Sequence, residues 1–103
     1  ILPEICSCDD NFGSIGAFDQ KFPITGVIGD QQSALFGQNC FEFGEMKSTY
    51  GTGCFLMVNT KEKIYESQAR LLSTVGCMLG KSGSYSIECS IFSAVNSIHW
   101  IRY

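Results

Sequence analysis

The strongest constraint on the fold is the tripeptide Gly51-Thr52-Gly53, which stands between two strand-like runs. Residues 47–50 (KSTY) precede it and residues 54–59 (CFLMVN) follow it, so the pattern predicts an antiparallel hairpin. Glycines also let backbone N–H groups approach a phosphate, and the Thr52 hydroxyl would add a donor. A turn without a ligand is the commoner explanation of so short a motif, and a Walker loop would need a helix start and a Lys-Ser/Thr pair that are absent here.

A second chemically distinctive position is Asp30, which follows an apolar run. Residues 24–28 (ITGVI) predict a buried strand, and residues 31–38 (QQSALFGQ) predict a helix with Gly37 suited to its C-terminal cap. Asp30 would then lie where a strand ends and a helix begins. Ligands of α/β proteins gather at such places, and a carboxylate there can act as a general base or a metal ligand. Aspartate is also a preferred N-cap residue, so position alone leaves both roles open.

The rest of the chain predicts a second hairpin and a terminal helix. Residues 1–22 indicate mostly loop with short extended pieces, because turn-forming Asp, Asn and Gly residues are frequent there. Residues 71–79 and 84–89 predict two antiparallel strands around a turn at residues 80–83. Beyond them, apolar residues recur with the period of one helix face: Ile91, Ala94, Val95, Ile98 and Ile101.

The order of these elements predicts an α/β chain that crosses a domain junction. A strand–helix unit gives way to consecutive strands near residues 38–48, which divides the chain into residues 1–40 and 41–103. The sequence starts at Ile1 without a Met and stops at Tyr103 inside the predicted terminal helix. We therefore expect a piece of a longer protein, with apolar surface that another segment would cover.

Composition argues against several classes of function. The 103 residues have the length of about one ordinary domain. The net charge is -3 and the seven Lys and Arg form no basic stripe, so nucleic-acid binding is not expected. The longest apolar run is far shorter than the roughly 18 residues of a membrane span, and the first residues lack the basic and apolar regions of a signal peptide. We expect a soluble, cytoplasmic protein without membrane insertion.

The cysteines are expected to be reduced thiols without a metal. The six cysteines fall below the roughly 8–10% share typical of disulfide scaffolds. Four of them stand in or beside apolar segments, where cysteine packs as a small hydrophobe: Cys40, Cys54, Cys77 and Cys89. A zinc site would need paired ligands on both sides, and Cys6-Ser7-Cys8 has no matching pair.

Two motifs resemble the FGGY family of carbohydrate kinases: residues 29–38 (GDQQSALFGQ) and residues 49–55 (TYGTGCF). Shorter matches in the same order extend the likeness over nearly the whole chain: Leu2-Pro3-Glu4, Asn59-Thr60, Leu71-Leu72 and Trp100-Ile101-Arg102. Within the family, the likeness is greatest to members that act on glycerol. The resemblance implies a ribonuclease-H-like, actin-like ATPase fold of two domains with the active site in the cleft between them. Residues 1–40 would end the first FGGY domain, and residues 41–103 would begin the second.

The resemblance also assigns candidate site residues. Asp30 matches the family's catalytic base, which contacts the substrate and takes a proton from the attacking hydroxyl group. Gln31 matches a residue that hydrogen-bonds glycerol, and Phe55 matches one that lines its carbon side. Gly51 and Thr52 match the hairpin that contacts the terminal phosphates of ATP, which Mg²⁺ bridges in the family. No metal ligand from this chain is expected.

The implied function is ATP-dependent phosphorylation of glycerol to glycerol 3-phosphate by the parent enzyme. The chain alone is expected to be inactive, because the family's N-terminal phosphate loop, substrate-binding Arg-Glu pair and adenosine motif lie outside it. It departs from the family pattern at Cys6-Ser7-Cys8, Cys89 and Asn96. Two alternatives therefore stay open: a divergent non-catalytic FGGY relative with a binding or regulatory role, and a kinase for another polyol or sugar. A homo-oligomeric parent also stays open.

Overall fold

The computed structural model describes residues 1–102 and shows a mixed α/β chain. The elements are β1 (Ser14–Ala17), β2 (Gln20–Pro23), α1 (Asp30–Gly37), β3 (Met46–Tyr50), β4 (Cys54–Lys61), β5 (Leu72–Leu79), β6 (Ser82–Ile91) and α2 (Val95–Arg102). Strands β1 and β2 pair with each other, and the other four form an antiparallel sheet in the order β3-β4-β6-β5. The predicted α/β class is confirmed in this form, with antiparallel pairing in both sheets. Across residues 1–102, no helix has the length and apolar character needed to cross a membrane.

The predicted hairpin around Gly51-Thr52-Gly53 is confirmed. Tyr50 pairs with Cys54 across the turn, and the Gly51 N–H donates to the Gly53 carbonyl oxygen at 2.8 Å. A Cβ atom at Gly53 would lie 2.9 Å from the Ile91 carbonyl oxygen, where β6 ends. Because that contact involves backbone on both sides, Gly53 is the glycine whose missing side chain allows the hairpin to approach β6.

The second hairpin is also confirmed, with a tighter turn than predicted. Strand β5 ends at Leu79 and β6 begins at Ser82, so the turn is Gly80-Lys81. Gly80 has a φ of 56°, which glycine adopts at no steric cost. Strand β6 continues to Ile91 because that residue still pairs with Cys54 of β4. The terminal helix consequently begins later than the apolar pattern indicates.

Residues 24–28 do not form the buried strand that their apolar sequence predicts. They run as an irregular segment, and the Val27 N–H donates to the carbonyl oxygen of Cys8 in the N-terminal loop at 2.9 Å. The Val27 side chain is 52% exposed. Apolar, β-branched residues favour a strand only where another strand is available to pair, and here the adjacent backbone is a loop. Asp30 therefore follows an extended loop segment and not the end of a strand.

Helix α1 ends in a Schellman motif built on an asparagine. Asn39 has a φ of 61°, its N–H donates to Phe36, and the Cys40 N–H donates to Leu35. These two hydrogen bonds, of 2.9 and 3.1 Å, satisfy carbonyl groups of the last helical turn. The prediction that Gly37 forms the cap is wrong, because Gly37 is the last helical residue. Asparagine is one of the few residues besides glycine that tolerate the left-handed conformation.

A small apolar core joins α1 to the four-stranded sheet. Leu35, Cys40 and Met57 form one buried cluster, and α1 contacts β3, β4 and β5. The Asn59 side chain supports the same contact by donating to the Cys40 carbonyl oxygen at 2.8 Å. The cluster thus includes residues from both sides of the predicted junction, and the division at residue 40 stays a prediction.

Candidate active site

Asp30 opens helix α1 with its side chain exposed. The N-cap is Gly29, and no side chain makes a capping hydrogen bond at this helix start. The alternative role of Asp30 as the N-cap is therefore not realised. Its Oδ2 atom accepts a hydrogen bond from Gln31 Nε2 at 3.3 Å, so the two residues that the family resemblance assigns to the substrate are in direct contact.

A buried lysine connects this helix start to strand β3. Lys47 is 1% exposed, and its Nζ donates to Gln31 Oε1 and, at 2.8 Å, to Thr49 Oγ1. Sequence reasoning missed Lys47 as a site residue. The sequence contains one indication of the Lys47–Thr49 contact: the two residues are two apart in a predicted strand, so their side chains project from the same face.

The register of the sheet places Phe55 beside this lysine. Thr49 pairs with Phe55, Lys47 pairs with Met57, and directly paired residues share a face. Met57 packs against Leu35 of α1, so this is the sheet face that α1 covers, which we call the helix-side face. The structure thus puts half-buried Phe55 on the face against which the helix carrying Asp30 and Gln31 packs.

A second carboxylate belongs to the helix-side face. Glu88 of β6 pairs with Met57, and its Oε1 accepts a hydrogen bond from Ser90 Oγ at 3.2 Å. Burial lowers the pKa of Lys47, while the negative charges of Glu88 and Asp30 act in the opposite direction without cancelling it. Glu88 is thus a further charge that acts on Lys47, and the sequence did not reveal it because the two residues are brought near each other across three strands.

The Gly51-Thr52-Gly53 turn is anchored by the chain segment that leads into α2. The Thr52 and Gly51 carbonyl oxygens accept hydrogen bonds from the N–H groups of Ala94 at 3.0 Å and Val95 at 3.4 Å. The Gly51 N–H is occupied by the Gly53 carbonyl oxygen, so it is not available to a phosphate in this arrangement. Thr52 is exposed, and its hydroxyl is a donor that this turn can present to a ligand.

The cysteines lie away from this cluster or pack as small hydrophobes. All six are free thiols, with Cys40 and Cys54 buried and Cys77 and Cys89 half-buried. Burial raises the pKa of the Cys77 thiol, which disfavours its reactive thiolate form. Within residues 1–102, no three His, Cys, Asp or Glu side chains come together in a group that could hold a metal ion.

Comparison with known proteins identifies the relatives of this chain. No family model matches it. It is 46% identical to the glycerol kinase of Marinomonas sp., 49% identical to that of Cereibacter sphaeroides and 47% identical to that of Fusobacterium nucleatum. Each alignment covers 99% of this chain and 21% of the relative, so the chain spans about a fifth of the length of these kinases. The resemblance predicted from the motifs is confirmed, and the chain is similar along nearly its whole length to a segment of glycerol kinase.

Proposed function

We propose that the parent of this chain is a kinase that phosphorylates glycerol to glycerol 3-phosphate with ATP. The similarity to glycerol kinases over 99% of the chain supports this function. The structural observation that supports it most is the set of hydrogen bonds made by Lys47. Through them, the start of α1, which carries Asp30 and Gln31, is joined to the strand that leads into the Gly-Thr-Gly turn. The same relatives support a sugar-kinase fold, and we assign the chain to the ribonuclease-H-like, actin-like type, with residues 1–40 and 41–103 in its two domains.

In this proposal, Asp30 is the general base. Its exposed carboxylate takes the proton of a glycerol hydroxyl group while that oxygen forms a bond to the γ-phosphorus of ATP. The bond from the γ-phosphorus to the oxygen bridging the β- and γ-phosphates breaks, and ADP leaves. Gln31 donates to a glycerol oxygen through the Nε2 N–H that Asp30 does not use, and Phe55 contacts the carbon side of glycerol.

The phosphate side of the proposed reaction belongs to the Gly-Thr-Gly turn. The exposed Thr52 hydroxyl is a suitable donor to a terminal phosphate oxygen. The Gly51 N–H already donates to Gly53, so we assign Gly51 a role in shaping the turn beside the phosphates. Phosphoryl transfer needs mainly positioning and charge stabilisation, which suits donors on a turn held by hydrogen bonds to the start of α2.

Magnesium fits this site as a companion of the nucleotide. Mg²⁺ in nucleotide sites is commonly held by one or two carboxylates, the phosphates and several waters. The residues that the structure describes provide no cage of three or more ligands, so the phosphates and waters would hold the ion, and Asp30 is kept as the base and not proposed as a ligand. When bound, Mg²⁺ would neutralise charge on the phosphates.

We expect the isolated chain to be inactive and the parent to be cytoplasmic. The chain corresponds to 21% of the length of its relatives, and large apolar side chains are exposed at many positions. Phe18, Phe92 and Trp100 are each more than four-fifths exposed, which fits surfaces that other parts of a larger enzyme would cover.

The test compares two carboxylate-to-amide changes in the full-length parent. Asp30→Asn removes the proposed base and should abolish formation of glycerol 3-phosphate while the melting temperature is retained. Asp19→Asn is the matched control, because Asp19 is exposed in the β1–β2 turn at a φ of 59° that asparagine also tolerates. Turnover retained in Asp30→Asn would refute the assignment of the base.

The same assay decides between this proposal and its alternatives. A non-catalytic relative would bind nucleotide and phosphorylate no polyol, and a kinase for another substrate would be active with a different polyol or sugar. Two of the sequence departures lie outside the proposed contacts. Cys89 pairs with Leu56 on the opposite face of the sheet from Phe55, and Asn96 is an exposed residue of α2.

A further inference from the structure

Lys47 is buried without a directly paired carboxylate. It is 1% exposed, its Nζ donates to the neutral oxygens of Gln31 and Thr49, and the one ion pair within residues 1–102 joins Lys61 to Glu42. A buried ammonium group destabilises a fold unless it is well compensated, and the lowered pKa of Lys47 has burial as its largest cause. Burial of this charge therefore costs stability, which the negative charges of Glu88 and Asp30 offset only in part.

The hydrogen bonds of Lys47 determine how the Gln31 amide is oriented. An ammonium group only donates, so the atom of Gln31 that faces Lys47 must be the carbonyl oxygen Oε1. The amide nitrogen Nε2 then faces Asp30, where it donates to Oδ2 at 3.3 Å. Because Nε2 carries two N–H groups, one donor remains for a ligand beside the carboxylate.

From this geometry we infer that Lys47 is a positioning residue for the polyol site. It acts through Gln31: it holds the amide so that an N–H faces the substrate oxygen, and it holds the Asp30 carboxylate through the second N–H. This inference rests on the proposed function. Because Lys47 is buried, it acts by preventing the Gln31 amide from rotating and not by touching glycerol or ATP. Thr49 assists by accepting a second hydrogen bond from the same ammonium group.

The test replaces Lys47 in the full-length parent and separates kcat from KM. Lys47→Met keeps an unbranched stem and removes the donor, so kcat should fall by about 100-fold through misorientation of the reacting groups. The KM for glycerol should rise by about tenfold, the effect of losing one well-placed hydrogen bond. The KM for ATP should not change. Lys61→Met is the control, because Lys61 is 43% exposed and pairs with Glu42 away from the site.

Stability distinguishes positioning from a structural role. Removing a buried charge whose pKa is lowered by burial should leave the melting temperature of Lys47→Met equal to or above that of the wild type. Lys47→Arg retains a donor-only cation and should recover at least tenfold of the lost kcat. A folded Lys47→Arg protein with the same kcat loss as Lys47→Met would overturn the inference, and so would loss of cooperative melting in Lys47→Met.

A double-mutant cycle tests whether Lys47 acts through Gln31. In a Gln31→Ala background, Lys47→Met should no longer raise the KM for glycerol, because the amide that it positions is gone. Additive effects of the two changes would overturn the inference. Wild-type protein that phosphorylates no polyol would refute the proposed function, and the positioning role with it. Active wild type with an equally active Lys47→Met variant would refute the positioning role alone.

Discussion

Substitution of Gly53 by alanine tests how closely the Gly-Thr-Gly turn approaches strand β6. The new Cβ would lie 2.9 Å from the Ile91 carbonyl oxygen, about 0.4 Å closer than a favourable carbon–oxygen contact of about 3.3 Å. Both the turn and Ile91 belong to paired backbone, since Ile91 pairs with Cys54, so neither can move without disturbing the β4–β6 ladder. Overpacking of this kind costs about 1–3 kcal/mol.

Gly51→Ala is the matched control for stability, because it lies in the same turn. A Cβ there would have the Gly53 carbonyl oxygen as its nearest atom at 3.7 Å, an ordinary contact. Either substitution restricts the unfolded chain and so stabilises by about 0.4–1 kcal/mol, and this contribution cancels in the difference between the two variants. Gly53→Ala should therefore be less stable than Gly51→Ala by the full steric cost, about 1–3 kcal/mol.

The assay is chemical denaturation of the full-length parent and of both variants. The denaturation midpoint of Gly53→Ala should be lower than that of Gly51→Ala, with similar slopes, because the change affects packing and not the surface exposed on unfolding. Equal midpoints would show that the turn does not rest against the Ile91 carbonyl group, and would refute the reasoning.

Three further predictions concern the helix cap and two titrating groups. Asn39 has a φ of 61°, which glycine adopts freely and which strains alanine. In denaturation measurements, Asn39→Gly should therefore keep or raise the stability, and Asn39→Ala should lower it by about 1 kcal/mol. Equal effects of the two substitutions would contradict a left-handed cap. The pKa of Asp9 is lowered chiefly by the Gly80 N–H, which donates to its carboxylate at 2.8 Å. The ionised Asp9 should therefore stabilise the fold above its ordinary pKa of 3.8, and this contribution should be lost as the pH falls through the lower folded pKa. Asp9→Asn should weaken that acid dependence in a pH series of melts, and an unchanged series would count against the contact. The pKa of Lys47 is lowered from 10.5, so the unfolded state binds more protons than the folded state between the folded pKa and 10.5. The free energy of unfolding of the wild type should therefore rise with pH across that window, relative to Lys47→Met. A parallel pH dependence of the two proteins would contradict this prediction.

Much of the local structure could be predicted because it depends on neighbouring residues. The turns at Gly51-Thr52-Gly53 and Gly80-Lys81 follow from the conformational freedom of glycine between alternating strands. Helix α1 begins and ends within a residue of the predicted run of helix formers. The local prediction failed where two residues could supply the same conformation, since Asn39 forms the cap that was assigned to Gly37.

The site could be predicted only as a set of separate residues. Asp30, Gln31, Phe55, Gly51 and Thr52 came from motifs, and their roles in catalysis and binding remain predictions. The contact of Asp30 with Gln31 is local, but nothing in the sequence indicates how that pair meets the hairpin.

Turn chemistry, side-chain alternation and motifs are all read along the chain, so they predict the hairpins, the first helix and the likeness to a kinase family. Packing in three dimensions, in contrast, leaves residues 24–28 without a strand to pair with and buries Lys47 against Gln31. Burial of a lysine depends on which element packs over it, and here that element is α1, which precedes the strand of Lys47 and is joined to it by a loop. The type of a residue sets which partners it prefers, whereas the partners themselves are supplied by other segments when the chain folds.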